Sequence, residues 1–264
     1  MKSSNLVKYT LFTLAILFVF FSLGCEPQNG APEVVDEVGD VVDSDKEYIL
    51  IGRPNPTTGY LAGFGEGTPW VENRLLDEIN ESGGIYIEEL DRSLPIKMVV
   101  VDTESDLTRA GEVSTRLILD DEIDLMLVMH TPDTVNPVAA VTERYETPTI
   151  SLDAPTETWL SGGPYEWNFH AFWTVDTLTS MFEEIWANAP ETNKKVGFVF
   201  GNDPDGIFWS AIFHEMLPEK GYEVVDPGRW DPGMRDYTTI ITELINENCE
   251  ILTGCMNSPD FSTF

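Results

Sequence analysis

The chain has 264 residues, 42% of them hydrophobic, which is enough for one or two domains with a sizeable core. Forty-six acidic residues against fifteen lysines and arginines give a formal charge of −31, a surplus that repels nucleic acid and anionic headgroups and would also suit high salt or acid. With three histidines, none paired at metal spacing, and no Gly-x-Ser-x-Gly elbow, the chain offers no catalytic constellation, and neither a cofactor nor a metal is expected.

Lys2 and Lys8 precede an apolar stretch from Tyr9 to Phe21, too short for an ordinary membrane span and in the charge order of a secretory signal. Ser22-Leu23-Gly24-Cys25 then resembles the lipobox of bacterial lipoproteins, although that pattern usually has leucine where Ser22 stands. The resemblance implies that residues 1–24 are a signal and that Cys25 is diacylated, anchoring the chain outside the plasma membrane; plain secretion is the alternative. Loss of Lys2 and Lys8 would take the charge to −33. Residues 25–47, rich in Glu, Asp, Val, Gly and Pro without a helical or strand period, read as an acidic tether.

Tyr48-Ile-Leu-Ile-Gly52 predicts a first strand, followed by a Pro/Thr/Gly loop to Gly67. Trp70, Val71, Leu75, Leu76 and Ile79 share a helical face over 68–82, and Gly83-Gly84 ends that helix. Residues 95–102 predict a second strand, and a helix from Asp106 or Thr108 reaches Leu119. Asp124 to Met129 is an apolar run suited to a strand buried on both faces. Thr131 is placed to cap the next helix, with Pro132 first and Asp133 in the first turn, and the helix runs to about Tyr145. Thr147 to Asp153 predicts the fourth strand. This alternation implies a parallel sheet covered on both faces, with small molecules bound at its carboxyl edge.

The rhythm breaks over 155–173, where Trp159, Tyr165, Trp167, Phe169, Phe172 and Trp173 crowd an irregular connector marked by Gly162-Gly163-Pro164. Trp159, Trp167 and Trp173 are the aromatics expected in a cleft, whereas His170 reads as a hinge or core histidine. Alternation resumes with a helix over 175–188, a strand over 195–200, a helix over 207–220, a strand over 222–225, a helix over 236–248 and a strand over 250–255. Cys249 and Cys255, six apart in one predicted strand, would lie about 20 Å apart, beyond the roughly 7 Å a disulfide spans. The fold class is therefore α/β, with two Rossmann-like lobes at 48–154 and 174–264 joined by the connector at 155–173.

Ile51-Gly-Arg-Pro-Asn-Pro-Thr-Thr-Gly59, Asp77-Glu-Ile-Asn-Glu-Ser-Gly-Gly-Ile85 and Asp102-Thr-Glu-Ser-Asp106 together resemble the opening of type 1 periplasmic binding proteins of the leucine/isoleucine/valine type. Thr147-Pro-Thr-Ile-Ser151 and Asn202-Asp-Pro-Asp-Gly206 match turns of the same family. The resemblance implies an extracytoplasmic protein whose lobes close on a small polar or amino-acid-like solute for the permease subunits of an ABC importer. A ligand-binding sensor ectodomain is the alternative. It also implies a second lobe left incomplete at Phe264. By position, it assigns ligand contacts to the loop of Thr131, Asp133 and Thr134, where Asp133 would repel a carboxylate unless turned away. Asp153 and Ala154 follow the fourth strand, Phe64 and Asp205 stand where the family has tyrosines, and Asp260 matches an acid that receives the ligand ammonium. Trp159 and Trp173 complete the expected site.

Overall fold

The computed structural model describes residues 34–35, 41–42 and 45–264. The expected signal at 1–24, Cys25 with its lipid, and most of the tether lie outside the described residues. Within the tether, two-residue strands β1 (Val34–Val35) and β2 (Val41–Val42) pair antiparallel, Val34 opposite Val42 and Val35 opposite Val41. At the tether's far end Lys46 is ion-paired with Asp124, so its last residues are docked rather than free.

The first sheet begins with β3 (Ile49–Asn55). Short helix α1 (Ala62–Gly65) and α2 (Thr68–Glu81) follow, α2 close to its predicted span and ending where Gly83 and Gly84 take positive φ of 110° and 82°. An antiparallel ribbon, β4 (Ile85–Ile87) with β5 (Arg92–Leu94), was not expected from the sequence. Next come β6 (Ile96–Asp102) and α3 (Leu107–Leu119), capped by Asp106, whose side chain accepts from the Arg109 N–H at 2.7 Å. β7 (Leu125–Val128), α4 (Thr131–Arg144) and β8 (Thr149–Leu152) follow the predicted order.

The connector is more regular than its composition suggests. It forms helix α5 (Thr156–Leu160) and strand β9 (Asn168–Ala171), which pairs parallel to β8 and completes a five-stranded sheet in the order β6-β3-β7-β8-β9. A buried polar network fixes it. The Asn168 carboxamide oxygen accepts from Ser151 Oγ at 2.7 Å and Trp159 Nε1 at 3.1 Å, while its amide donates to Thr142 Oγ1 at 3.0 Å. Only residues 172–174 then separate this sheet from the next helix.

The second sheet is built from α6 (Val175–Ala187), β10 (Lys195–Phe200), α7 (Pro204–Glu219), β11 (Glu223–Val225), α8 (Thr238–Asn246), β12 (Ile251–Cys255) and a last helix α9 (Ser258–Thr263). Its three strands run parallel in the order β11-β10-β12. β10 is buried on both faces. Val196, Phe198 and Phe200 pack with Trp209, Phe213 and Leu217 of α7, and Val199 packs oppositely with Ile240 and Leu244 of α8.

Coverage of the first sheet departs from expectation. On one face Leu117, Met126, Val128, Val135 and Val138 are fully enclosed, each contributing about 1.5 to 3 kcal/mol. Alternate positions on the other face, Val100, Ile150 and Phe169, stay exposed, Phe169 by 61%. Strand alternation places these residues opposite the enclosed ones, away from α3 and α4.

Candidate functional site

Loops leaving the carboxyl ends of β3, β7 and β8 meet those leaving β10 and β12 around one cleft, where open parallel sheets place their ligand sites. The cleft has two adjoining parts. A chamber of about 460 Å³ is walled by Phe172, Trp173, Phe182, Phe200, Trp209 and Phe213. A recess of about 30 Å³ is lined by Tyr60, Asp133, Asp203, Asp205 and Asn257. Phe64, Thr131, Asp205 and Cys255 line both, so the recess adjoins the chamber at these four residues.

The first lobe contributes the start of α4. β7 ends at Val128, and the chain turns through His130 (φ 79°) and Thr131 (φ 64°), while Asp153 on the neighbouring loop has φ 60°. Three side-chain-bearing residues in the left-handed region cost about 1 to 2 kcal/mol each. The Thr131 N–H donates to the Asp153 carbonyl at 3.0 Å, tying the two loops together. His130, not Thr131, is the cap residue of α4, and it makes no side-chain capping bond. The Thr131 hydroxyl instead reaches the Asp133 carboxylate at 3.4 Å.

His130 is held as a neutral imidazole. Its Nε2 lies 3.1 Å from Arg53 Nη2, and a guanidinium only donates, so Nε2 accepts and the proton sits on Nδ1, which faces Asp153 at 3.7 Å. Burial, then the adjacent guanidinium, lowers its pKa to about 3. Arg53 itself is fully enclosed, donating to Glu72 at 2.6 Å and to the Pro54 carbonyl at 2.7 Å.

The second lobe contributes the start of α7. Asp203 caps it, accepting from the Gly206 N–H at 2.8 Å. A Cβ on Gly206 would sit 2.3 Å from the Gly201 carbonyl, so glycine lets this first turn press against the end of β10. Asp205 accepts from the Cys255 thiol at 3.1 Å through one oxygen, and its other oxygen is enclosed without a hydrogen-bond partner.

Two helix starts thus face each other, each carrying acid. Asp133 is 3% exposed, accepts from the Tyr60 hydroxyl, and has one oxygen without a partner in hydrogen-bond geometry. Burial, reinforced by Asp203 and Asp205, pushes its pKa up to about 6. Burial likewise pushes Asp205 up to about 6, with Asp203 adding to it, and raises Asp203 itself. Burial and the neighbouring Asp205 raise the Cys255 thiol, so it is no thiolate nucleophile. Among the described residues no lysine or arginine lines either part of the cleft. Among the described residues no group of three or more His, Cys, Asp or Glu side chains is placed to hold a metal ion.

Six of the expected site residues come together here: Phe64, Thr131, Asp133, Asp153, Trp173 and Asp205. Thr134 and Ala154 do not line the cleft; both are buried, Ala154 in the first core. Trp159 packs against that core, stacked 4.6 Å from Tyr165 and 4.9 Å from His170, because its indole N–H is held by Asn168. Trp167 also lies outside the cleft lining. Asp260 is buried and engaged, accepting from Gly233 N at 2.9 Å and Asn257 Nδ2 at 2.7 Å. The sequence reading passed over Tyr60, His130 and Asp203, and over the aromatics of α6, β10 and α7. The signal for Asp203 was present, since Asp203-Pro204 is a helix cap followed by proline at the first position.

Residues 49–264 match a family described as periplasmic binding protein. No curated protein matches the chain by sequence. Among solved structures, the branched-chain amino acid transporter substrate-binding protein LivJ from Streptococcus pneumoniae, in complex with isoleucine, superposes with a TM-score of 0.65 at 21% identity, covering 79% of this chain and 57% of that one. The leucine-binding protein LivK from Thermotoga maritima gives 0.65 at 16% identity over 78% and 55%. A solute-binding protein of an ABC transporter from Rhodopseudomonas palustris, in complex with 4-hydroxybenzoate, gives 0.65 at 16% over 81% and 55%. The chain therefore spans little more than half the length of these structures, and at such identities the likeness is one of fold. Matched over both of its parallel sheets, the chain belongs to the periplasmic binding protein family.

Proposed function

We propose that the protein captures a small solute in the cleft between its two sheets and releases it unchanged to the permease of an ABC importer. The observation that carries this reading is the chamber of about 460 Å³ at the facing carboxyl edges, aromatic-walled and ending in a polar recess. An apolar body with a few convergent polar groups is the usual make-up of a small-molecule site. The covalent crossing at 172–174 gives the lobes a point about which to close. Its Trp173 carbonyl is anchored by Thr156 Oγ1 at 3.1 Å, so closure would pivot beside α5. Binding would shift an open and closed equilibrium by the solute's differential affinity for the two. A lipid on Cys25 would hold the protein on the outer side of the plasma membrane or in the periplasm.

The test is a thermal-shift screen of the full chain against a library of small metabolites, followed by calorimetry on the hits. A solute at one hundred times its Kd stabilises by about 2.7 kcal/mol, a readily measured rise in Tm. At least one compound is expected to do this and to be recovered intact by chromatography. A library without hits, or recovery of a converted product, overturns the reading.

A further inference from the structure

We propose that the solute is an organic cation, its ammonium group seated in the acidic recess against Asp133 and Asp205, its apolar or aromatic body in the chamber, and that it carries no carboxylate. This rests on the reading of the cleft as a solute site and specifies what it selects.

The division of the cleft carries the inference. The recess, at about 30 Å³, has room for a small polar group of the size of water or ammonium and not for a ligand body. Its polar lining is Tyr60, Asp133, Asp203, Asp205 and Asn257, with Thr131 at the mouth. Asp203 spends one carboxylate oxygen on its own helix cap, and Tyr60 donates to Asp133. What is left over is acceptor capacity. One oxygen of Asp133 and one of Asp205 are enclosed without a partner in hydrogen-bond geometry, Asp205 having the Cys255 thiol and the Trp209 indole beside it, and Asp133 is 97% buried. A buried acceptor without a partner is destabilising, and these two come from opposite lobes. An ammonium group brings three donors and a positive charge, satisfying both oxygens at once.

The remaining charges favour the same sign. Asp153 lines the chamber, and Arg53, beneath His130, is already bonded to Glu72 and does not line the cleft. His130 is neutral, its Nε2 accepting from Arg53. A helix start ordinarily draws anions through its free N–H groups, but Asp133 and Asp205 fill that role at α4 and α7. A ligand carboxylate would therefore meet acids from both lobes and no free base. The chamber walls suit the body of such a cation, since Phe64, Phe172, Trp173, Phe200 and Trp209 present ring surfaces, which attract ammonium groups as well as apolar ones.

The experiment titrates the full chain by calorimetry and by quenching of tryptophan fluorescence. The probes are matched: tryptamine and phenyltrimethylammonium as cations, L-tryptophan as a zwitterion, indole-3-propionate and 4-hydroxybenzoate as carboxylates. A cation is expected to bind at least tenfold more tightly than its carboxylate-bearing counterpart. Asp133→Asn and Asp205→Asn, both isosteric, are each expected to weaken that binding at least tenfold while the circular dichroism of the free protein is unchanged. Tighter binding of a zwitterion or carboxylate, or cation binding equal in wild type and in both variants, overturns the cation assignment and leaves solute capture standing. If none of the probes binds while the metabolite screen yields a carboxylate or a neutral solute, the assignment falls alone. If neither yields a binder, both readings fall.

Discussion

Asp133→Asn isolates the electrostatic penalty of the buried Asp133 carboxylate. In the folded chain burial and the acids of the opposite lobe raise the Asp133 carboxyl from an ordinary 3.8 to about 6. The native state therefore holds this proton more tightly than the unfolded chain does. The stability tied to it is fully present below the unfolded value and is lost as pH rises through the window from about 4 to about 6. Above that window the penalty is complete, and 3.8 against 6 corresponds to about 3 kcal/mol. Asparagine keeps the shape and an acceptor for the Tyr60 hydroxyl but carries no charge at any pH. Without ligand, the variant is expected to exceed wild type in unfolding free energy by about 3 kcal/mol at pH 8 and by only about 1 kcal/mol at pH 4.5. Urea denaturation followed by tryptophan fluorescence at the two pH values measures both differences, with low salt kept constant. A gain of the same size at both pH values would mean the charge of Asp133 is not the cause. A loss at pH 8 would mean the carboxylate is satisfied in a way the geometry does not display.

Two further variants separate structure from recognition. Asp260→Ala removes the acceptor for Gly233 N and Asn257 Nδ2, and is expected to lower stability by about 2 to 4 kcal/mol in urea titrations. A selective loss of solute affinity with the urea midpoint unmoved would instead restore Asp260 to the ligand. Trp159→Ala unstacks Tyr165 and His170 and strips the Asn168 network of a donor, for a cost of about 2 to 4 kcal/mol, since the ring is only partly enclosed. Solute affinity should be unchanged in the folded fraction, and a drop in affinity larger than tenfold would bring Trp159 back into the cleft.

What was legible in the sequence depended on how local its cause is. The strand at 195–200 is an apolar run that period alone identifies, and α3 has its cap at Asp106 in plain view. Strand β9 was hidden because its alternation spans only four residues and runs the wrong way round, with Asn168 buried and Phe169 and Ala171 exposed; it is a strand because Asn168 is satisfied by Ser151, Thr142 and Trp159, partners 9 to 26 residues away. The same network pulled Trp159 out of the expected site. The chamber aromatics were invisible for a different reason. Phe200, Trp209 and Phe213 pack in the second core and line the cleft at once, and a sequence position cannot say which side of a ring stays uncovered.

The acids show the same limit more sharply. Taken singly, Asp133 and Asp205 are good first-turn residues, each complementing the positive end of its own helix. That reading is local and correct. Bringing the two helix starts together reverses its sign, because burial raises both carboxyls to about 6, with Asp203 and Asp205 adding to Asp133 and Asp203 adding to Asp205. Two first-turn acids that complement their own helices thereby become one site of repelling charge. A cation entering between them would relieve the repulsion only while both lobes hold it, and that condition by itself favours the closed form over the open one.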